Sequence, residues 1–495
     1  MNHLTLRCIA IFLLIAATAP AQEETELDSL LHTFMNVYAT VESEAASPVD
    51  SYKAIYEGAV PGMLRPLDPH SVFFDPGQFE QLKQLQSSTQ KGFGSVVSVL
   101  PGRVIFLQTL PGTPSAKSGL APGDEIVALN GYLISRLEMD QLIALLGQSR
   151  QQAARLDIRR PGNARILTFV LTPEELQAPS VERVFHVKPG IGYLRVSSFD
   201  EKTGEQIREG IEKLGGRNLK GLVLDLRNNP GGLLPAALET AALFLKPGQR
   251  VLTVRGRTVP ESEQKVPDDN KPYEFPVAVL INGRSASASE IVSGALQDHD
   301  RAVIAGEPSF GKGLVESVYP LSDSTGVALT TALYYTPSGR SIQKPLGDAF
   351  ALGRTSANPN RQSEFHTDAG RAVKGGGGIE PDFIVQPAGP QTRLAAVLDA
   401  SGAFTNFATE YTQKHKDLTE DFQVTSELLD EFQLFLSERS IRPGIGEWLA
   451  IRPFIENRLQ TEIFNQSFGV EKGDEVEARR DPVILKAIEQ LSKPS

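Results

Sequence analysis

Phe275-Pro-Val-Ala-Val-Leu-Ile-Asn282, followed by Ser285-Ala-Ser-Ala-Ser-Glu290 and then Phe310-Gly-Lys-Gly313, is the stretch on which the fold turns. The apolar run reads as a buried strand, the small residues turn the chain, and Ile291, Val292, Ala295 and Leu296 give the next segment a helical apolar face. The pattern predicts a serine at a strand-to-helix turn. A hydroxyl there sits at the positive end of a helix, where backbone N–H groups are unsatisfied and developing negative charge is stabilised. Lys312 follows between two glycines, which let the backbone turn tightly and bring an amine close. Ser287 is thus the candidate nucleophile and Lys312 its candidate base.

Working outward, the region from about 180 to 385 alternates strand and helix. Strands are expected at Ile191 to Phe199, Gly221 to Leu226, Val251 to Val254, Ala302 to Ala305, Val315 to Tyr319 and Val327 to Tyr335. Ile207, Ile211 and Leu214 mark a helix closed by Gly215-Gly216, and a helix from Leu233 to Leu245 carries Pro235 in its first turn, where proline is tolerated. Such alternation predicts an α/β sheet. The stretch from Gly347 to Gly378, ending in four glycines, reads as a mobile loop.

Residues 90 to about 173 read as short strands and turns: Gly92-Phe93-Gly94 before the alternating run Ser95 to Leu100, then Val104 to Leu107, then Pro122-Gly123-Asp124-Glu125-Ile126 through Asn130-Gly131, and a short helix from Met139 to Leu146. This order resembles a PDZ domain, and Leu120-Ala-Pro-Gly-Asp-Glu-Ile126 with Asn130-Gly131 carries the resemblance. PDZ domains add a peptide C-terminus as an extra strand and hold its carboxylate on backbone N–H groups. The resemblance implies that Gly92, Phe93, Gly94, Ser95 and Val96 form the carboxylate-binding loop.

The ends of the chain read differently. Arg7, the apolar stretch Ile9 to Ala17 and Ala19-Pro20-Ala21 form a signal-peptide pattern, with cleavage expected after Ala21. The apolar run is shorter than the ~20 residues a spanning helix needs, so no stable membrane span is expected. Cys8, the single cysteine, falls within that segment, so the mature chain has none. An exported, cysteine-free chain fits the bacterial periplasm or cell envelope. From Leu27 to about Leu85 the spacing of Leu27, Leu30, Leu31, Phe34, Val37 and Tyr38 predicts helix. From Gln391 onward four helices are expected, broken at Pro443-Gly444 and Gly473-Asp474, with Trp448 in their core. The net charge of -11 and the lack of a Lys/Arg run exclude a nucleic-acid binder, while 40% hydrophobic content in 495 residues excludes disorder throughout.

A serine hydroxyl needs an adjacent base, and lysine serves only when burial or like charge favours its neutral form. Acyl transfer also needs donors aimed at the developing oxyanion. Asp225-Leu-Arg-Asn-Asn-Pro-Gly-Gly232 supplies a second strand-to-helix turn whose bare glycines allow close approach of N–H groups. With Ala288 N–H this makes a plausible hole. A histidine base is the rival. His299 lies twelve residues along the same expected helix, roughly 18 Å from Ser287 at 1.5 Å per residue, too far for proton transfer. His186 and His366 sit in no stretch resembling a catalytic turn. His70, beside Asp68 and Pro69, reads as a capping or turn residue, with no ligand-spaced His or carboxylate pair to make a metal site.

The motifs taken in order resemble the carboxyl-terminal processing peptidases: the PDZ-like unit, residues 224–232, 285–291, 310–313, Tyr334-Tyr-Thr-Pro-Ser-Gly-Arg-Ser-Ile-Gln343 and Gly378-Ile-Glu-Pro-Asp382. Gly62-Met63-Leu64 with Leu67-Asp-Pro-His-Ser71 is similar to that family's N-terminal segment. The resemblance implies Ser287 as nucleophile, Lys312 as general base, and oxyanion donors at Ala288 and one of Gly231 or Gly232. It implies a crotonase/Clp-like α/β peptidase core with an inserted PDZ domain and helical N- and C-terminal regions. The expected boundaries are 1–21 signal peptide, 22–89 helical, 90–173 PDZ, 174–388 peptidase and 389–495 helical.

One position departs from the family. Four residues after the lysine the family usually has glutamine, thought to orient the amine, and this chain has Glu316. A carboxylate there favours charged lysine and opposes its role as base, so activity shifted to higher pH is expected. The expected function is a serine endopeptidase that captures proteins or peptides with apolar C-termini and needs no metal or organic cofactor. A catalytically silent PDZ adaptor is the alternative, encouraged by Glu316. The terminal helices could dimerise, cap the core or bind an activator, and their pattern does not choose.

Overall fold

The computed structural model describes residues 26–86, 89–345, 364–386 and 392–493. The signal segment 1–21 with Cys8, and the larger part of the 347–378 loop, lie outside the described residues. The chain divides into two compact units, Met1–Pro66 and Leu67–Ser495.

In the first unit the helix Glu26–Glu44 buries none of its side chains. Leu27, Leu30, Phe34, Val37 and Val41 are all exposed. They recur at alternating steps of three and four, a heptad seam. A π-helical segment, Lys53–Ala59, and a short helix, Val60–Leu64, follow.

The second unit is built on a six-stranded sheet ordered Val181–Lys188, Ile191–Val196, Gly221–Asp225, Val277–Ile281, Ala302–Gly306, Phe383–Ile384. The first pair is antiparallel and the rest are parallel. Side chains alternate across a strand. Leu222, Leu224, Val277, Val279 and Ile304 therefore meet Ile207, Ile211, Ala237 and Val292 of the helices Thr203–Lys213, Leu234–Ala242 and Ala288–Asp298 on one face. Val223, Ala278, Leu280 and Ala305 meet Val483, Ile484, Ala487 and Ile488 of the C-terminal helix Pro482–Leu491 on the other. Burial on both faces explains why these strands read as continuous apolar runs. The α/β sheet expected from the alternation is present.

A second, antiparallel sheet joins Val72–Phe74, Arg250–Gly256, Ser262–Lys265 and Leu314–Pro320 around the long strand Gly326–Tyr335. The PDZ-like unit is a separate sheet ordered Ser95–Leu100, Arg103–Thr109, Glu125–Leu129, Ala154–Arg159, Leu167–Leu171, with Tyr132–Leu133 beside Glu125–Leu129. Its first strand, Ser95–Leu100, is an edge strand. The antiparallel ribbon of Thr89–Gly92 and Glu174–Gln177 stands at its entry and exit.

The C-terminal region holds six helices rather than four, from Arg393–Ala400 to Pro482–Leu491. The break at Pro443-Gly444 is present, and Trp448 is buried among Phe432, Phe435 and Ile451. The break expected at Gly473-Asp474 is absent, because Gly473 lies inside the helix Val470–Ala478. A Cβ there would stand 1.9 Å from Asn465 Oδ1, so this glycine serves close approach of two helices, and the break falls at Gly469, with φ 93°. These helices also grip the PDZ-like sheet: Arg103 Nη1 donates to Asn406 Oδ1 (2.5 Å) and Val470 N–H to Gln108 Oε1 (3.1 Å).

Candidate active site

The strand Val277–Ile281 ends at a turn through Asn282, and the helix Ala288–Asp298 begins immediately after Ser287. Ser287 has φ 52° and ψ -115°, a backbone conformation that costs a non-glycine residue about 1–3 kcal/mol. Neighbouring serines help to hold the turn. Ser285 Oγ–H donates to Leu226 O (2.8 Å) and Ser289 Oγ–H to Asn229 O (3.0 Å), both on the facing turn. Ser287 alone of the three donates its hydroxyl to no carbonyl among the described residues. It is also the one that is partly exposed, Ser285 and Ser289 being fully buried.

The facing turn runs from Leu226 to Gly232. Asn229 Nδ2–H donates to Val196 O (2.9 Å), and its Oδ1 accepts from Gly231 N–H (2.8 Å). The Gly231 N–H is therefore engaged. The N–H groups of Gly232 and Ala288 reach no acceptor among the described residues. Gly231, with φ 103°, presses its bare Cα on the Ser287 turn: a Cβ would lie 2.7 Å from Ala286 O, 2.8 Å from Ser287 Cβ and 2.9 Å from Ala288 N. A side chain at 231 would fill the space in front of the Ala288 N–H. At Gly232 a Cβ would collide with Phe199 O at 2.0 Å.

Glu290 ties the Ser287 turn to the Lys312 turn. Its Oε2 accepts from Ser287 N–H (2.9 Å) and Lys312 N–H (2.9 Å), and its Oε1 from Gly311 N–H (2.7 Å) and Ser309 Oγ–H (2.5 Å). Burial pushes this carboxyl up from its ordinary value, against the four donors, which favour the ion. The Tyr334 hydroxyl adds a second tie, donating to Lys312 O (2.7 Å) with Ser287 O at 3.3 Å. Burial, then the nearby Glu290, push the Tyr334 hydroxyl well up, so it stays a donor.

Lys312 Nζ lies 2.7 Å from Glu316 Oε1 as an ion pair, and no hydrogen bond joins it to Ser287 Oγ among the described residues. Ser287, Ala288, Gly231, Gly232, Lys312 and Glu316 are thus gathered around three turns, of which Glu290 and Tyr334 tie those of Ser287 and Lys312. Gly92, Phe93, Gly94, Ser95 and Val96 lie at the PDZ-like unit instead, Gly92 ending the Thr89–Gly92 ribbon strand, Phe93 and Gly94 linking it to the edge strand, and Ser95 and Val96 opening that strand. There Phe93 O accepts from Ser115 N–H (2.9 Å) and Gly94 O from Leu110 N–H (2.9 Å), while the N–H groups of Phe93 and Gly94 reach no acceptor among the described residues.

His299 caps the end of the helix Ala288–Asp298 and is held between Asp368 and Arg250 O, both at 2.7 Å. It is a structural residue at the far end of that helix. His186 and His366 are exposed on strands. His70 differs from its sequence reading. Its turn is capped by Asp68, whose Oδ1 accepts from His70 N–H (2.7 Å) and Ser71 N–H (2.8 Å), but its ring Nδ1 faces Glu316 Oε1 at 3.7 Å. A lone histidine in a turn carries no linear sign of that approach. Among the described residues no group of three or more His, Cys, Asp or Glu is arranged to hold a metal, and no helix is long and apolar enough to cross a membrane.

The chain matches the family model for peptidase family S41 over residues 190–347, that for a PDZ domain over 106–160, and that for a probable PDZ-protease C-terminal helical domain over 394–442. It is 37% identical over 344 residues to the carboxy-terminal-processing protease of Bartonella bacilliformis, covering 68% of this chain and 77% of that protein. It is 30% identical to carboxy-terminal processing protease CtpB of Bacillus subtilis, covering 66% and 69%. A solved photosystem II D1 C-terminal processing protease aligns at 26% identity over 72% of this chain and 88% of its own, with TM-score 0.38. The chain belongs to peptidase family S41, among the serine-type carboxy-terminal processing proteases that carry a PDZ domain.

Proposed function

We propose that the chain cleaves peptide bonds by a Ser287/Lys312 dyad. The observation that carries this reading is the strained Ser287, partly exposed at a helix N-terminus, with its hydroxyl proton given to no carbonyl among the described residues while those of Ser285 and Ser289 are bound. Neutral Lys312 takes the Ser287 proton as Oγ attacks the scissile carbonyl, and returns it to the leaving amine. Water then hydrolyses the acyl-enzyme with the same lysine as base. The Ala288 and Gly232 N–H groups receive the oxyanion, aided by the positive end of the helix. Gly231 serves by its bareness, its own N–H being occupied. For catalysis Lys312 has to leave Glu316 for Ser287 Oγ.

Substrate capture belongs to the PDZ unit. An apolar C-terminal tail adds along the open edge of Ser95–Leu100, and its carboxylate is held by the loop Gly92–Val96, where the N–H groups of Phe93 and Gly94 await an acceptor. Residues 1–21 direct export to the periplasm or envelope. A second copy of the chain is the partner proposed for the helix Glu26–Glu44, because an exposed a/d seam of Leu27, Leu30, Phe34, Val37 and Val41 is self-complementary. Residues 22–89, 90–173, 174–388 and 389–495 are taken as the working units.

A silent adaptor is favoured by one observation, the Lys312–Glu316 pair in place of a Lys312–Ser287 bond. Incubating the full chain with apolar-tailed proteins and reading new C-termini decides between them. Cleavage that is lost in Ser287→Ala and in Lys312→Ala, with tail binding retained, supports the dyad. Tight tail binding by the wild type without any cleavage supports the adaptor.

A further inference from the structure

We propose that His70 is a positioning residue of this active site, holding the Glu316 carboxylate while Lys312 moves to Ser287. The proposal rests on the Ser/Lys reading. Its starting point is one oxygen. Glu316 Oε1 is buried and receives no directed hydrogen bond, although Lys312 Nζ stands 2.7 Å from it and His70 Nδ1 3.7 Å. A buried acceptor without a donor is costly, and Nδ1 is only about 0.7 Å beyond an ordinary N–H···O separation of ~3.0 Å. Lys312 and His70 are the charged or titratable partners within ion-pair distance of Glu316 among the described residues.

The surrounding structure aims His70 at that oxygen. Asp68 organises the turn, and the turn docks on the strand Gly326–Tyr335 at Thr330: Thr330 Oγ1–H donates to Asp68 Oδ1 (3.1 Å) and Thr330 N–H to Ser71 Oγ (3.2 Å). Thr330 is the register partner of Glu316, and Val72–Phe74 continues along the same strand. His70 is thereby fixed across from Glu316 by backbone and by Asp68, independently of its own ring. The two demands on the base are then separated. With Lys312 on Glu316 the amine is paired and away from Ser287. When the amine leaves, the carboxylate loses its cation, and a His70 Nδ1–H bond to Oε1 compensates that loss. Without His70 the carboxylate keeps Lys312.

The test compares His70→Ala, Glu316→Gln and the double variant in the full chain, on a peptide with an apolar C-terminal tail. His70→Ala is expected to lower kcat on the order of tenfold, the worth of one hydrogen bond to a charged group, with KM and the thermal midpoint unmoved. In the Glu316→Gln background the same change should move kcat by less than about twofold, since no charge remains to be held. His70→Asn, whose amide N–H takes the place of Nδ1–H, should restore most of the rate. An unchanged kcat, an equal loss in both backgrounds, a change in KM alone, or no recovery in His70→Asn overturns the role of His70. Ser287→Ala and Lys312→Ala are run beside them. If both are inactive, a failure of the His70 result falls on His70 alone, whereas cleavage retained by either overturns the dyad and His70's role with it.

Discussion

Glu290→Gln removes a charge and changes one oxygen to an amide nitrogen, leaving size and shape nearly the same. In the native site each carboxylate oxygen accepts two donors. The less costly placement keeps the amide oxygen on Ser287 N–H and Lys312 N–H and turns the NH2 toward Ser309 and Gly311. Ser309 Oγ already accepts from Ile379 N–H (2.6 Å) and can accept again from the NH2. Gly311 N–H cannot, and is left buried and facing another donor. One such orphan costs about 1–3 kcal/mol, and the surviving bonds lose their charge assistance, so a total of about 2–4 kcal/mol is expected. At about 2–4 °C per kcal/mol for a unit of this size, the unfolding midpoint of the protease region should fall by several degrees. Because the lost bond lies one residue from Lys312, kcat should fall at least tenfold, a loss of about 1.4 kcal/mol in transition-state stabilisation, although neither Ser287 nor Lys312, the proposed dyad, is altered. Amide exchange at Gly311 and steady-state cleavage by the full chain measure the two effects. A variant with native exchange at Gly311 and native kcat would refute the account of Glu290 as the tie between the turns.

Glu316→Gln removes the carboxylate that pairs with Lys312 Nζ at 2.7 Å, so the amine is freer to reach Ser287 and kcat should rise; an unchanged kcat counts against the pair as a brake on the lysine. Gly231→Ala places a Cβ against Ala286 O, Ser287 Cβ and Ala288 N, at a φ that disfavours side chains, and should cost about a hundredfold or more in kcat while peptide binding to the PDZ unit is retained. Tyr334→Phe leaves Lys312 O without its 2.7 Å donor and should lower stability by about 1–2 kcal/mol and slow cleavage, as read by thermal unfolding and initial rates. Asp481→Ala removes the N-cap of the helix Pro482–Leu491 and a 2.7 Å partner of Arg227, and should loosen that helix by about 1–2 kcal/mol in hydrogen exchange.

The sequence by itself determined the elements and their class. Strand period and helix period are local properties, so the apolar runs at 221–226 and 275–281 and the helical face after Ser287 were legible, as was the glycine turn at 228–232. The order of motifs identified the family, and the family is the one the curated relatives share. Tertiary structure decided how those elements act on one another. Three serines alternate at 285, 287 and 289 with the same local chemistry, and only the facing turn, some sixty residues earlier in the chain, distinguishes them by binding the outer two. Gly231 and Gly232 are likewise equivalent until the Asn229 side chain occupies one N–H. Gly473 reads as a helix stop because propensity is local, and it stays helical because Asn465 of the preceding helix packs where a Cβ would be. His70 reads as a turn residue, and it faces Glu316 because Asp68 and Thr330 dock that turn beside the lysine's strand. Each of these outcomes depends on hydrogen bonds or contacts between segments distant in sequence, which periodicity and turn chemistry do not encode.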